Sequence, residues 1–175
     1  MTHSKACILP WAHLRMSRYM TSVCCYHAAT GVTITGFNSD NNSGTMWDIW
    51  NSDGLQQMRR EMAENGYQNI CFNSRDTQCY EHITEMTPFR LLSSAQMKNF
   101  KKTNKNFQDK KIIVDNYPSF IQIFLDYKCN LNCPHCFQFV GRNSSVDYGL
   151  DIVNKPDFYE FLSNAETLNI LGGEA

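Results

Sequence analysis

Cys129, Cys133 and Cys136 stand in the run Cys129-Asn130-Leu131-Asn132-Cys133-Pro134-His135-Cys136, a C-x3-C-x2-C spacing. Three thiolates this close can hold three irons of a four-iron four-sulfur cluster and leave the fourth iron open. An open iron is a place for chemistry, whereas a fully ligated cluster stores or passes electrons. By residue type the same run can bind zinc, with His135 or a distant cysteine as the fourth ligand. Downstream lies Gly172-Gly173-Glu174. The glycines allow close backbone approach, and the carboxylate can catch a ligand amino group.

The elements that must position these residues read as strand, loop, helix, strand. Residues 120–125 form an apolar run of the buried-strand type, and residues 167–171 form a second. Pro156 sits where it can open a helix carrying Phe158, Tyr159, Phe161 and Leu162. That is a β-α-β unit, expected to be parallel and right-handed. Ligand sites in parallel α/β folds sit at the carboxyl ends of strands. The cysteine run follows one strand and Glu174 ends the other, so the two converge on one face, and this context favours iron over zinc. Parallel strands need covering on both faces, yet the sequence stops at Ala175, four residues past the second strand. The expectation is an N-terminal piece of a longer protein, cut inside its catalytic domain; a partner or a second copy completing the sheet is the alternative.

The segment from Phe124 through Lys128 to Cys136 resembles the cluster loop of radical S-adenosylmethionine enzymes, and Leu171-Gly172-Gly173-Glu174 resembles their methionine-binding motif. The resemblance implies a [4Fe-4S] cluster on Cys129, Cys133 and Cys136, its unique iron chelated by the amino and carboxylate groups of S-adenosylmethionine. It implies that Gly172, Gly173 and Glu174 hold the methionine amino group, and that His135 packs near the adenine, with Phe137 as the other candidate neighbour. Lys128 and Asn130 would shape the loop. An electron donor such as flavodoxin or ferredoxin would reduce the cluster, giving a 5′-deoxyadenosyl radical that abstracts hydrogen from a substrate, a peptide being one option. The cofactor carries the hard step, and the protein supplies orientation and exclusion of water.

The first half holds a second constellation: Cys7 to His13, Cys24-Cys25, residues 47–52, Arg59-Arg60, Cys71, and Cys79-Tyr80-Glu81. Its order resembles the SPASM and twitch auxiliary-cluster modules of the same superfamily, placed here before the barrel. The resemblance implies Cys7, one of Cys24 and Cys25, Cys71 and Cys79 as ligands of a further cluster. Asp76 is an alternative to Cys71, and zinc an alternative to iron. His13, His27, Trp11, Trp47 and Trp50 read as structural.

Locally, residues 14–16 and 21–25 can pair as short strands, with residues 32–35 following and residues 38–44 as a polar loop. Trp47, Ile49 and Trp50 suggest a helical turn. Ser52 or Asp53 can cap a helix over residues 55–63 that closes at Asn65-Gly66, with Leu55, Met58 and Met62 facing the core. Residues 98–111, rich in Lys and Asn, read as an exposed helix end plus linker.

The fold class is therefore α/β: the start of a radical S-adenosylmethionine partial (β/α) barrel at 119–175, a linker at 98–118, and a small α+β SPASM/twitch-like module at 1–97. The chain has 175 residues, 42% hydrophobic, and a net charge of -1. That gives no general reason to expect nucleic-acid or membrane partners. No stretch approaches the roughly 20 apolar residues of a membrane span, and Met1 to Lys5 does not open a signal peptide. A cytoplasmic protein is the expectation. Its eight cysteines then favour metal or redox sites over disulfides. Two readings compete with the radical enzyme: a zinc-binding interaction module and a two-cluster electron carrier. Gly172-Gly173-Glu174 is the feature that separates them, since neither competitor has a use for it.

Overall fold

A computed structural model of the chain describes residues 6–16, 21–24, 44–66, 91–124 and 150–172. Within them, α1 (Leu9–Ala12) leads straight into β1 (His13–Met16), followed by β2 (Thr21–Ser22), α2 (Met46–Trp50) and α3 (Asp53–Asn65). Then come α4 (Ser94–Gln108), β3 (Phe120–Phe124), a 3-10 turn at Leu150–Asn154, α5 (Phe158–Asn164) and β4 (Thr167–Leu171). The strands make one mixed sheet in the order β2-β1-β3-β4. β1 and β2 are antiparallel, while β1 with β3 and β3 with β4 are parallel. Of the expected pairing of residues 14–16 with 21–25, Arg15 with Ser22 and Met16 with Thr21 are present, and the expected parallel pairing of β3 with β4 is present as well. The expected strand at 32–35 lies outside the described residues.

Register assigns the faces. Directly paired residues share a side of the sheet, and successive residues alternate. Leu14 pairs with Ile121 and Met16 with Ile123, and all four are buried. They pack into one core with Trp11, Trp50 of α2, Leu55, Met58 and Met62 of α3, and Phe158 and Phe161 of α5. Leu168 and Ile170 share that side of edge strand β4 but remain 41% and 47% exposed.

The helix termini follow local chemistry. Thr45 and Asp48 form a capping box at the start of α2. α3 ends at Gly66, whose positive φ of 66° is a backbone conformation that glycine adopts without strain. At the start of α2, the backbone N–H groups of Met46 and Trp47 donate to the Asp157 carboxylate at 2.7 and 3.2 Å. This couples a negative charge to the positive end of the helix and ties the turn before α5 to the first half of the chain.

Two parts of the structure depart from the sequence reading. Residues 98–108, read as an exposed helix end leading into a linker, are helical throughout: they belong to the fifteen-residue helix α4, which starts at a Ser93–Gln96 capping box. Its inward face is polar, with Asn99, Thr103 and Asn106 buried. The Asn99 side chain donates to the carbonyls of Tyr117 and Asn164 and accepts from the Tyr117 N–H. Asn106 donates to the Asn116 side chain, which itself donates to the carbonyls of Trp11 and Tyr117 and to Thr103 Oγ1. Buried amides are stable there because Asn99 and Asn116 meet backbone groups that would otherwise lack partners, while Asn106 meets the side chains of Asn116 and Asp115. Secondly, the sheet joins β1 from the first half to β3 from the second, so one core spans both.

Candidate functional site

The site begins where the parallel strands end. β3 and β4 pair in register through their last residues, Phe124 opposite Leu171. The chain therefore leaves both strands at the same edge of the sheet. Cys129 comes five positions after Phe124, and Glu174 comes three after Leu171. Gly172 is half-buried directly beyond β4. Cys129, Cys133, His135, Cys136, Gly173 and Glu174 lie outside the described residues, as do Lys128, Asn130 and Phe137. The described structure supplies the two points of departure toward them.

Phe124 is buried at this edge, and the Arg15 guanidinium lies over its ring, 4.5 Å from the centroid. This cation–π contact holds Arg15 on the side of the sheet away from the helices, where His13 also lies. His13 meets Phe120 edge to face, with centroids 4.8 Å apart. Burial pulls the His13 pKa down to about 4; the Arg15 charge pulls the same way, and a hydrogen bond with the Val23 backbone opposes both. Nε2 is buried without a hydrogen-bond partner.

The first-half candidates divide. Cys7 precedes α1, which enters β1 at its N-terminal end, and the Cys7 N–H donates to Met62 Sδ at 3.2 Å. Cys24 follows β2, which runs antiparallel to β1, so it too lies toward the end where β1 begins. Both are half-buried. They stand at the opposite end of the sheet from Phe124 and Leu171. Four residues of strand rise, about 13 Å, separate the two ends of β3. Cys25, Cys71, Asp76 and Cys79 lie outside the described residues. Among the described residues, no three His, Cys, Asp or Glu side chains form a group able to hold a metal ion.

The remaining members of the first-half constellation do structural work. Arg59 is fully buried in α3 and donates to the carbonyls of Pro10, Ile112 and Trp50 and to Asn51 Oδ1. Its guanidinium lies 4.5 Å from the centre of the Trp50 ring. Burial lowers its pKa to about 9, which leaves it charged at neutral pH. Arg60 is exposed and donates to Gln57 Oε1. Trp11 and Trp50 are buried in the core, as expected, and their indole N–H groups donate to the carbonyls of Lys111 and Asn116. Trp47 is half-buried against Tyr117 and Phe161.

The sequence reading did not single out Arg15, Gln122 or Asn169. Their exposure class alternates with that of the apolar residues beside them, and a strict two-residue alternation is the signal that could have found them. Among the described residues no helix is long and apolar enough to cross a membrane. Comparison with protein-family models, with curated proteins and with solved structures finds no match to this chain.

Proposed function

We propose that this chain belongs to a radical S-adenosylmethionine enzyme, with its cluster loop after β3 and its methionine-binding motif after β4. One observation carries the reading: β3 and β4 are parallel and paired through Phe124 and Leu171. The three thiolates and the Gly-Gly-Glu are thereby fed from neighbouring strand ends, as ligand sites in parallel sheets require.

The donor set fits the group. Cys129, Cys133 and Cys136 offer three soft thiolates to a four-iron cluster and leave one iron for an exchangeable ligand. Gly172 and Gly173 allow a ligand close to the backbone, and Glu174 accepts hydrogen bonds from its ammonium. Phe124 and Leu171 close the sheet side of the site with apolar surface. When bound, the cluster and S-adenosylmethionine supply a 5′-deoxyadenosyl radical for hydrogen abstraction. An auxiliary cluster using Cys7 and Cys24 would lie toward the far end of the sheet, where its role would be electron transfer or anchoring. The partial barrel and the SPASM/twitch-like module are part of this proposal; the observed fold is mixed α/β with a four-stranded mixed sheet.

Anaerobic reconstitution with iron and sulfide, followed by metal analysis and electron paramagnetic resonance with and without S-adenosylmethionine, tests it. About four irons per chain, or about eight with an auxiliary cluster, together with a spectrum that changes on adding S-adenosylmethionine, support the reading. Iron with an unresponsive spectrum would instead favour an electron carrier. Zinc with no iron would favour an interaction module.

A further inference from the structure

On the side of the sheet away from the helices, one row of residues crosses all four strands in register. Ser22 stands opposite Arg15, Arg15 opposite Gln122, and Gln122 opposite Asn169. All four are polar. The same side carries His13, Phe120 and Thr167 toward the strand beginnings, and Phe124 and Leu171 toward the strand ends. The row thus runs between two aromatic-bearing rows.

Among the described residues, its polar groups are not consumed by the fold. Ser22 is 1% exposed, and its Oγ has no hydrogen-bond partner. Buried hydroxyls are almost always bonded, and this one retains an unused donor. Arg15, Gln122 and Asn169 are half-buried, and no hydrogen bond or ion pair among the described residues engages their side chains. The stacking of Arg15 on Phe124 uses the face of the guanidinium and leaves its in-plane N–H donors unspent. No Asp or Glu occurs in any of the four strands. Among the described residues, Arg15 is therefore a positive charge with no acidic partner, amid hydroxyl and amide donors.

We infer that the row Ser22, Arg15, Gln122 and Asn169 binds an oxyanion, the carboxylate or phosphate of a ligand lying across this side of the sheet. The guanidinium fork matches two oxygens of such a group, and the hydroxyl and amides supply further donors. Gln122 precedes Phe124 by two positions, about 7 Å along the strand, so the anion lies one pleat below the edge where the cysteine run departs. The inference is independent of the cluster, because every group it uses belongs to the four strands.

The test uses the full chain without iron. Sodium phosphate and, separately, sodium succinate are titrated at constant ionic strength, following the Arg15 Nε–H and the side-chain amides of Gln122 and Asn169 by NMR. The three signals shift together and saturate with at least one anion; saturation by phosphate alone identifies a phosphate ligand, and by succinate alone a carboxylate. Arg15→Gln weakens binding roughly tenfold to a hundredfold, and Arg15→Lys restores only part of it. Shifts that stay linear, or that sodium chloride reproduces, overturn the inference, as does unchanged affinity in a folded Arg15→Gln protein. Should Arg15→Gln fail to fold, Asn169→Ala on edge strand β4 decides the matter: weaker binding sustains the inference and unchanged affinity overturns it.

Discussion

Phe124 and Leu171 stand side by side as the final residues of parallel strands β3 and β4. A shift of one residue in this register would turn every side chain of β4 to the other side of the sheet. It would place Leu168 and Ile170 among the polar residues and Asn169 against the core side. The pairing thus sets both the edge from which the two motifs depart and the composition of the surface beneath them.

On the proposed reading, Cys133→Ala is expected to remove iron from the chain and abolish reductive cleavage of S-adenosylmethionine, because two thiolates do not hold a four-iron cluster. Iron content and 5′-deoxyadenosine formation are the measurements. Cleavage that persists would remove the cluster assignment.

Glu174→Gln is expected to separate ligand binding from cluster assembly. The amide keeps the size of the side chain but loses the charge that attracts an ammonium. Affinity for S-adenosylmethionine should fall by roughly tenfold or more while iron content stays the same. Equal affinity in calorimetry would sink the assigned role.

Arg59→Met is expected to destabilise the fold by about 3 kcal/mol or more. It strands the carbonyls of Pro10, Trp50 and Ile112 in a buried site. Arg59→Lys should recover little, since one ammonium cannot span acceptors arranged for a planar fork. Urea unfolding measures it, and a loss below about 1 kcal/mol would contradict the hub role.

His13 makes stability depend on pH in a defined window. Its folded pKa of about 4 lies below the ordinary 6.5, so the unfolded chain binds more protons between these values. Stability from this residue is full above about pH 6.5 and is lost as pH falls toward 4, by about 3 kcal/mol in all. Carboxylates act in the same direction, so the comparison is with His13→Gln. Between pH 7 and pH 4 the wild type should lose about 3 kcal/mol more than the variant; parallel curves would refute the assignment.

Much of the local structure was legible in residue types. The apolar runs marked β3 and β4, and the spacing of Leu55, Met58 and Met62 with the closing Gly66 marked α3. Helix α4 was not legible in the same way. Asn99, Thr103 and Asn106 are residues that normally face water, and their buried partners belong to an irregular segment that exists only once the chain has folded. Arg59 misled for the same reason: a buried guanidinium makes sense only when the carbonyls around it are known.

By itself the sequence determined the chemistry on offer: three thiolates at cluster spacing, a Gly-Gly-Glu after a strand, and the strands and helix that lead to them. Only the tertiary structure decided that β1 joins β3 and that Cys7 and Cys24 lie toward the other end of the sheet from Phe124 and Leu171. It alone aligned Ser22, Arg15, Gln122 and Asn169 in one row. The physical reason is that residue type and spacing act along the chain, whereas strand order and register arise from hydrogen bonds and core packing between segments distant in sequence.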